Sequence, residues 1–204
     1  GLGFFTTPIM GKASIAPEAN AQRNEFAKEL AEKYGHHRSF AGWYFPVEAA
    51  IFTHFPEEYI TFANTQAEFC RKVGPQRVLI APYGTRSVRG DDRFVAQLRS
   101  LEVDYIAYQD EIGVDRTTFE AVDETFARLR EAHDRAGKPL WADIELFRFA
   151  GKVLHPGPIE RIKRQLEIVA KYVDKVLCYQ YLGLMNKPGS PVHVGHEDSV
   201  RLYE

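Results

Sequence analysis

Short apolar runs alternate along the chain with longer segments of helical period, the order that βα units on a parallel sheet require. Six runs read as strands: residues 2–8, 40–45, 77–82, 105–109, 140–146 and 175–181. Between them, residues 17–34, 57–73, 91–101, 117–136 and 158–173 read as helices. The last helix carries Ile159, Ile162, Leu166 and Val169 at three- and four-residue spacing with charges opposite, so it should lay one side on a sheet. Pro17 and Pro158 suit first-turn positions, Asp91 and Thr117 can cap, and Gly35, Gly74 and Gly137 fall where helices should stop.

Loops entering strands are short, such as Gly137-Lys138-Pro139, whereas those leaving them are long and chemically rich: residues 46–56, 83–90, 110–116, 147–157 and 182–191. In parallel α/β folds function gathers on that second set, at the C-terminal ends of the strands. No Gly-rich phosphate loop follows the first strand, which argues against an open doubly wound sheet. The expected fold is α/β, a (β/α)8 TIM-barrel type in a single domain over residues 1–204, with about six units visible and N-terminal strands missing.

Composition narrows the partners. Lys plus Arg number 26 and Asp plus Glu 28, for a net charge of −2, which offers no footprint for nucleic acid. No apolar run reaches the roughly 18 residues of a membrane helix. The opening Gly1-Leu2-Gly3-Phe4-Phe5 lacks the basic flank of a signal peptide and has no Met, which leaves location open, secretion and the periplasm included. Cys70 and Cys178 stand too far apart for a metal spacing and read as buried thiols. No histidine pair among His54, His155, His193 and His196 has zinc spacing, and His36-His37 reads as a solvated turn, so neither metal nor cofactor is expected.

Strand parity then selects the chemistry. In residues 140–146 the apolar set Leu140, Ala142, Ile144 and Leu146 must face the helices, which turns Trp141, Asp143 and Glu145 inward. By the same reasoning Trp43 and Phe45 face the helices while Tyr44 and Glu48 face inward, and Gln109 and Glu111 do so after the strand at 105–109. Tyr83, Asp110, Tyr179 and Tyr181 join them at one rim. Carboxyls facing one another across a pocket suit glycosidic chemistry, because one protonates a leaving oxygen while the other attacks or activates water, and aromatic faces suit sugar rings. Each residue also has a plainer reading: an acid at a strand end is often a cap or salt bridge, and an aromatic is often packing. Arg86, Arg89, Arg116 and Arg148 read as surface charge or as contacts for an acidic sugar, and residues 183–190 as an ordinary loop or a phosphate cradle.

Taken in order, Gly42-Trp43-Tyr44-Phe45-Pro46-Val47-Glu48, Tyr108-Gln109-Asp110-Glu111-Ile112-Gly113, Leu140-Trp141-Ala142-Asp143-Ile144-Glu145 and Tyr172-Val173-Asp174-Lys175-Val176 resemble the bacterial domain-of-unknown-function family 4434. The resemblance runs from about Ala31 through Pro188. That family is similar to TIM-barrel glycoside hydrolases, and its members carry further strands ahead of this start, so the resemblance implies that the visible strands are the third to eighth. Glu48 would then follow the fourth strand and Glu145 end the seventh, where retaining barrel glycosidases keep their acid/base and nucleophile. Val47 stands where that clan has Asn.

The expectation is a carbohydrate-active barrel with Glu48 as general acid/base, Glu145 as nucleophile and Asp143 as a tuning neighbour. Tyr44, Tyr83, Gln109, Asp110, Glu111, Trp141, Tyr179 and Tyr181 would contact the sugar. The alternative is a barrel that binds carbohydrate without cleaving it.

Overall fold

The computed structural model describes residues 16–74, 77–189 and 199–204. The strand expected at residues 2–8 lies outside them. Five parallel strands form one half-barrel sheet: β1 (Gly42–Phe45), β2 (Arg77–Ile80), β3 (Tyr105–Gln109), β4 (Leu140–Glu145) and, after a hairpin, β7 (Lys175–Tyr179). They lie side by side in chain order. A doubly wound sheet would reverse that order at a switch point, and no reversal occurs among the described residues.

Helix α1 (Pro17–Tyr34) precedes β1, helices α2 (Glu57–Val73), α3 (Asp92–Ser100), α4 (Phe119–Ala136) and α5 (Ile159–Val169) connect the strands, and α6 (Ser199–Tyr203) ends the described chain. The α2 stripe of Tyr59, Ile60, Phe62, Ala63, Ala67 and Cys70 is buried, with Glu57 and Glu58 in the first turn and Arg71 and Lys72 in the last, matching the helix dipole. Asp91 caps α3 as expected, accepting from Phe94 N at 3.0 Å. Thr118, not Thr117, caps α4 through Ala121 N at 3.2 Å. Gly137 closes α4 at φ 70°, a left-handed conformation that only glycine takes without strain.

Three expectations need correction. The loop at 147–157 contains an antiparallel hairpin, β5 (Phe147–Ala150) and β6 (Val153–Pro156), turned by Gly151-Lys152 with Gly151 at φ 63°. Helix α5 stops at Val169, short of residue 173. Cys70 is buried but Cys178 is exposed, since β7 has a neighbour on one side only among the described residues.

The core lies between sheet and helices. Trp43, Phe45, Val78, Ile80, Ile106, Leu140, Ala142 and Ile144 are buried there, each less than 5 % exposed. Tyr108 joins them through a hydrogen bond of 2.8 Å to His133 Nε2, while His133 Nδ1 lies 3.0 Å from Pro139 O. Burial lowers the pKa of that histidine to about 4, so it stays neutral.

The base of the sheet is fastened twice in the same way. The Oδ2 of Asp104, the residue just before β3, accepts from Val78 N at 2.9 Å, and the Oδ2 of Asp174, the residue just before β7, accepts from Leu140 N at 2.7 Å. Each side chain thus satisfies the opening of the preceding neighbour strand. Arginines flank both: Arg71 and Arg77 on Asp104, Arg130 on Asp174.

Candidate functional site

Alternation along the strands sends Tyr44, Tyr105, Gln109, Trp141, Asp143, Lys175 and Tyr179 to the concave side, opposite the helix-facing core. Register fixes their levels. Gln109 pairs with Asp143, and Glu145 with Tyr179, near the strand C-termini, whereas Trp141 pairs with Lys175 at the base.

The segment after β1 runs on beside the segment after β2: Tyr83 N donates to Ala49 O and Ile51 N to Tyr83 O, each at 2.9 Å. This carries Glu48 to the rim. The Gln109 side chain, which donates to Ala81 O at 3.1 Å, also hydrogen-bonds Glu48. Gln109 therefore has a carboxyl on either hand, Glu48 toward β1 and Asp143 on β4.

The electrostatics of this group are acidic throughout. Burial raises the Asp143 carboxyl to about 7, and the charges of Asp110 and Glu48 add to the shift. Burial also raises Glu48, but the hydrogen bond from Gln109 favours its ionised form and opposes that shift. The Tyr44 phenol is pushed up by burial and then by Glu48, Asp143 and Tyr179, and Tyr179 by burial, Glu48 and Asp143.

Glu145 occupies a different environment. It is 5 % exposed, covered by the 110–116 loop, and its Oε2 accepts from Val114 N at 2.9 Å. Gly113 permits that cover: a Cβ there would stand 2.5 Å from Phe147 O and 2.8 Å from Glu145 Cβ. Burial, then the charge of Asp110, raises Glu145 to about 8. Nothing couples it to Glu48 in the way that Asp143 is coupled.

The other expected contacts divide. Asp110, 2 % exposed, turns toward the helices, where Gln165 Nε2 donates to its Oδ2 at 2.5 Å, and burial raises it to about 6. Glu111 binds the first turn after β2, accepting from Gly84 N at 2.8 Å and Thr85 N at 3.2 Å. Tyr83 lies beneath Arg116, whose guanidinium carbon is 5.9 Å from the ring centroid. Trp141 faces the concave side but at its base, stacked on Tyr105 at 4.1 Å with Lys175 Nζ 5.1 Å over its ring. Tyr181 packs edge-on to Tyr203 and accepts from Lys187 N at 3.1 Å.

Tyr59 escaped the sequence reading. It belongs to the buried stripe of α2 and looks like core, yet its hydroxyl has no hydrogen-bond partner among the described residues, and burial pushes its pKa up. A phenol in an otherwise apolar stripe was the one available signal. A cavity of about 370 Å³ between the hairpin, α5 and α6, lined by Arg148, Pro156, Ile159, Glu160 and Arg201, lies apart from the carboxyl group. No set of three His, Cys, Asp or Glu among the described residues is arranged to hold a metal.

Comparison with known proteins follows the fold. The GH2 beta-galacturonidase from Eisenbergiella tayi, bound to galacturonate, superposes with TM-score 0.58 at 16 % identity, over 84 % of this chain and 31 % of that one. The beta-galactosidase from the psychrophilic Marinomonas ef1 gives 0.53 at 10 % identity, over 89 % and 40 %. At these identities the likeness is one of fold, and this chain spans between 31 % and 40 % of those chains. No curated protein matches by sequence. The family model described as "Domain of unknown function (DUF4434)" matches residues 1–192, so the chain belongs to that family.

Proposed function

We propose that this half barrel is part of a (β/α)8 carbohydrate-active domain, that it cleaves a glycosidic bond, and that Glu48 and Asp143 are its carboxyl pair. The observation that carries the reading is the convergence of Glu48, Gln109 and Asp143 at one level of the concave rim, with Tyr44 and Tyr179 beside them. Glycoside hydrolysis needs two carboxyls held in opposite protonation states. Asp143, raised to about 7, keeps its proton near neutral pH and is the general acid. Glu48, which burial raises while the hydrogen bond from Gln109 opposes that shift, is the base or nucleophile. Glu145, which the sequence suggested as nucleophile, serves under its loop as a support for the rim. The two fold relatives are consistent with sugar chemistry, one a beta-galacturonidase and one a beta-galactosidase.

The test is a polysaccharide and aryl-glycoside screen with product analysis, followed by Asp143→Asn and Glu48→Gln. Each variant should lose about 10²-fold or more in kcat/KM, as loss of a general acid or base does. Retention of full activity in both removes the pair. The covered state of Glu145 favours a second reading, a barrel that binds sugar without cleaving it. In that case binding persists while no polysaccharide in the screen yields product.

A further inference from the structure

The loop after β1 displays an aromatic ring on a strained backbone. Three non-glycine residues among those described have positive φ: Phe52 at 30°, Glu111 at 54° and Asp115 at 55°. Aspartate visits that region readily, and the Glu111 carboxylate accepts from Gly84 N and Thr85 N, which compensates its strain. Phe52 has no such compensation. A bulky side chain is strained at that φ, yet its ring is 62 % exposed, the most of any large apolar side chain described, so burial does not offset the cost. Phe149 and Tyr179 are exposed at the rim as well, but both rest edge-on against Phe147, at 5.6 and 6.0 Å between centroids. No ring among the described residues stacks with Phe52.

The ring has a prepared seat. Gly84 lies beside it, and a Cβ there would stand 3.2 Å from Phe52 Cδ1 and 3.3 Å from Cε1. Glu111 in turn holds Gly84 N, so the seat is fixed from the loop after β3. The chain sets its place relative to the carboxyls. Ala49 and Ile51 are buried and bonded through their backbone to Tyr83, so the segment is extended there, and Glu48, Ala50 and Phe52 fall on the opposite side. Four residues at roughly 3.3 Å each carry Phe52 up to about 13 Å beyond Glu48. A sugar ring seated at Glu48 does not reach that far, whereas its neighbour in a chain does.

Resting on the carbohydrate reading above, we propose that Phe52 is the platform for a further sugar ring, so that the rim takes an oligosaccharide rather than a single sugar. A pyranose carries C–H groups on its faces and hydroxyls around its edge, so it can lie on an exposed phenyl ring while its hydroxyls stay in water. A single exposed aromatic needs no explanation on most surfaces. One held out in a strained conformation, on the side of the chain that bears Glu48, does.

The experiment is a protein-observed NMR titration of the whole chain with β-linked galactose and glucose series, each running from the methyl glycoside to the tetrasaccharide. In a series that binds, affinity should rise by about tenfold or more between its ends, the order an aromatic contact supplies. Phe52→Asn should abolish most of that gain, and Phe52→Trp, which keeps an aromatic face, should retain it. Asparagine tolerates the left-handed region, so Phe52→Asn should also leave the urea unfolding midpoint level or raise it, whereas loss of a packing residue lowers it. An affinity that does not rise with length, a gain that survives in Phe52→Asn, or a midpoint that falls in that variant overturns this inference and leaves the carbohydrate reading standing. Binding of no member of either series overturns it too and, with no hit in the polysaccharide screen, overturns both.

Discussion

Asp143 and Glu145 are two residues apart on one strand and share one face, yet Asp143 borders the open rim and Glu145 is sealed beneath Gly113 and Val114. Both are raised by burial first, to about 7 and about 8. A carboxyl raised on folding contributes stability that is complete below its unfolded pKa near 4 and is lost as pH rises through the folded value. His133 acts in the opposite sense below about 6.5, because its neutral form is the folded one. Above that pH the histidine is neutral in both states and the two carboxyls dominate. Urea unfolding should therefore show stability falling between roughly pH 6.5 and 8.5, a window set by these shifts. Glu145→Gln should remove much of the slope, and a level profile in the native protein would mean that these acids are not buried as described.

Elements were the most legible part of the sequence. Of the six strands read from it, the five within the described residues appear at their places, because each apolar run is bounded by polar turns and separated by an amphipathic helix. The hairpin was missed, although Gly151-Lys152 between Phe147-Arg148-Phe149 and Val153-Leu154 was a usable turn signal. Parity sent Tyr44, Gln109, Trp141, Asp143 and Glu145 to the expected face. It could not tell depth along the strand, which separates Trp141 from the rim, or show a loop closing over Glu145, which depends on contacts distant in sequence. Nor did it find the Asp104 and Asp174 fastenings, since an aspartate before a strand reads as an ordinary turn residue. Burial raises the Asp104 carboxyl, but hydrogen bonds from Arg77, Val78 N and Arg71 outweigh that and hold it below the usual range. Asp104→Ala should cost about 1–3 kcal/mol. Asp174→Ala should cost less, because its side chain is 51 % exposed against 15 % for Asp104. Each is measured by chemical denaturation, and effects at separated sites should add within about 0.5 kcal/mol.

At the scale of the whole molecule, protection is uneven. Strands β2, β3 and β4 have neighbours on both sides and contribute fully buried residues, whereas β7 pairs only with β4 among the described residues and exposes Lys175, Cys178 and Tyr179. Native-state hydrogen exchange should place β3 and β4 amides among the slowest and those of β7 well ahead of them. Equal protection across the sheet would imply that β7 is covered in solution. The two aspartate fastenings sit at the strand N-termini, while Glu48, Gln109 and Asp143 sit at the opposite end. Tolerance to change is thus polarised along the strands. Under the proposed function, changes at Glu48, Gln109 or Asp143 alter the ligand while the two aspartate fastenings are untouched, so descendants of one ancestor diverge in diet while inheriting the same foundation.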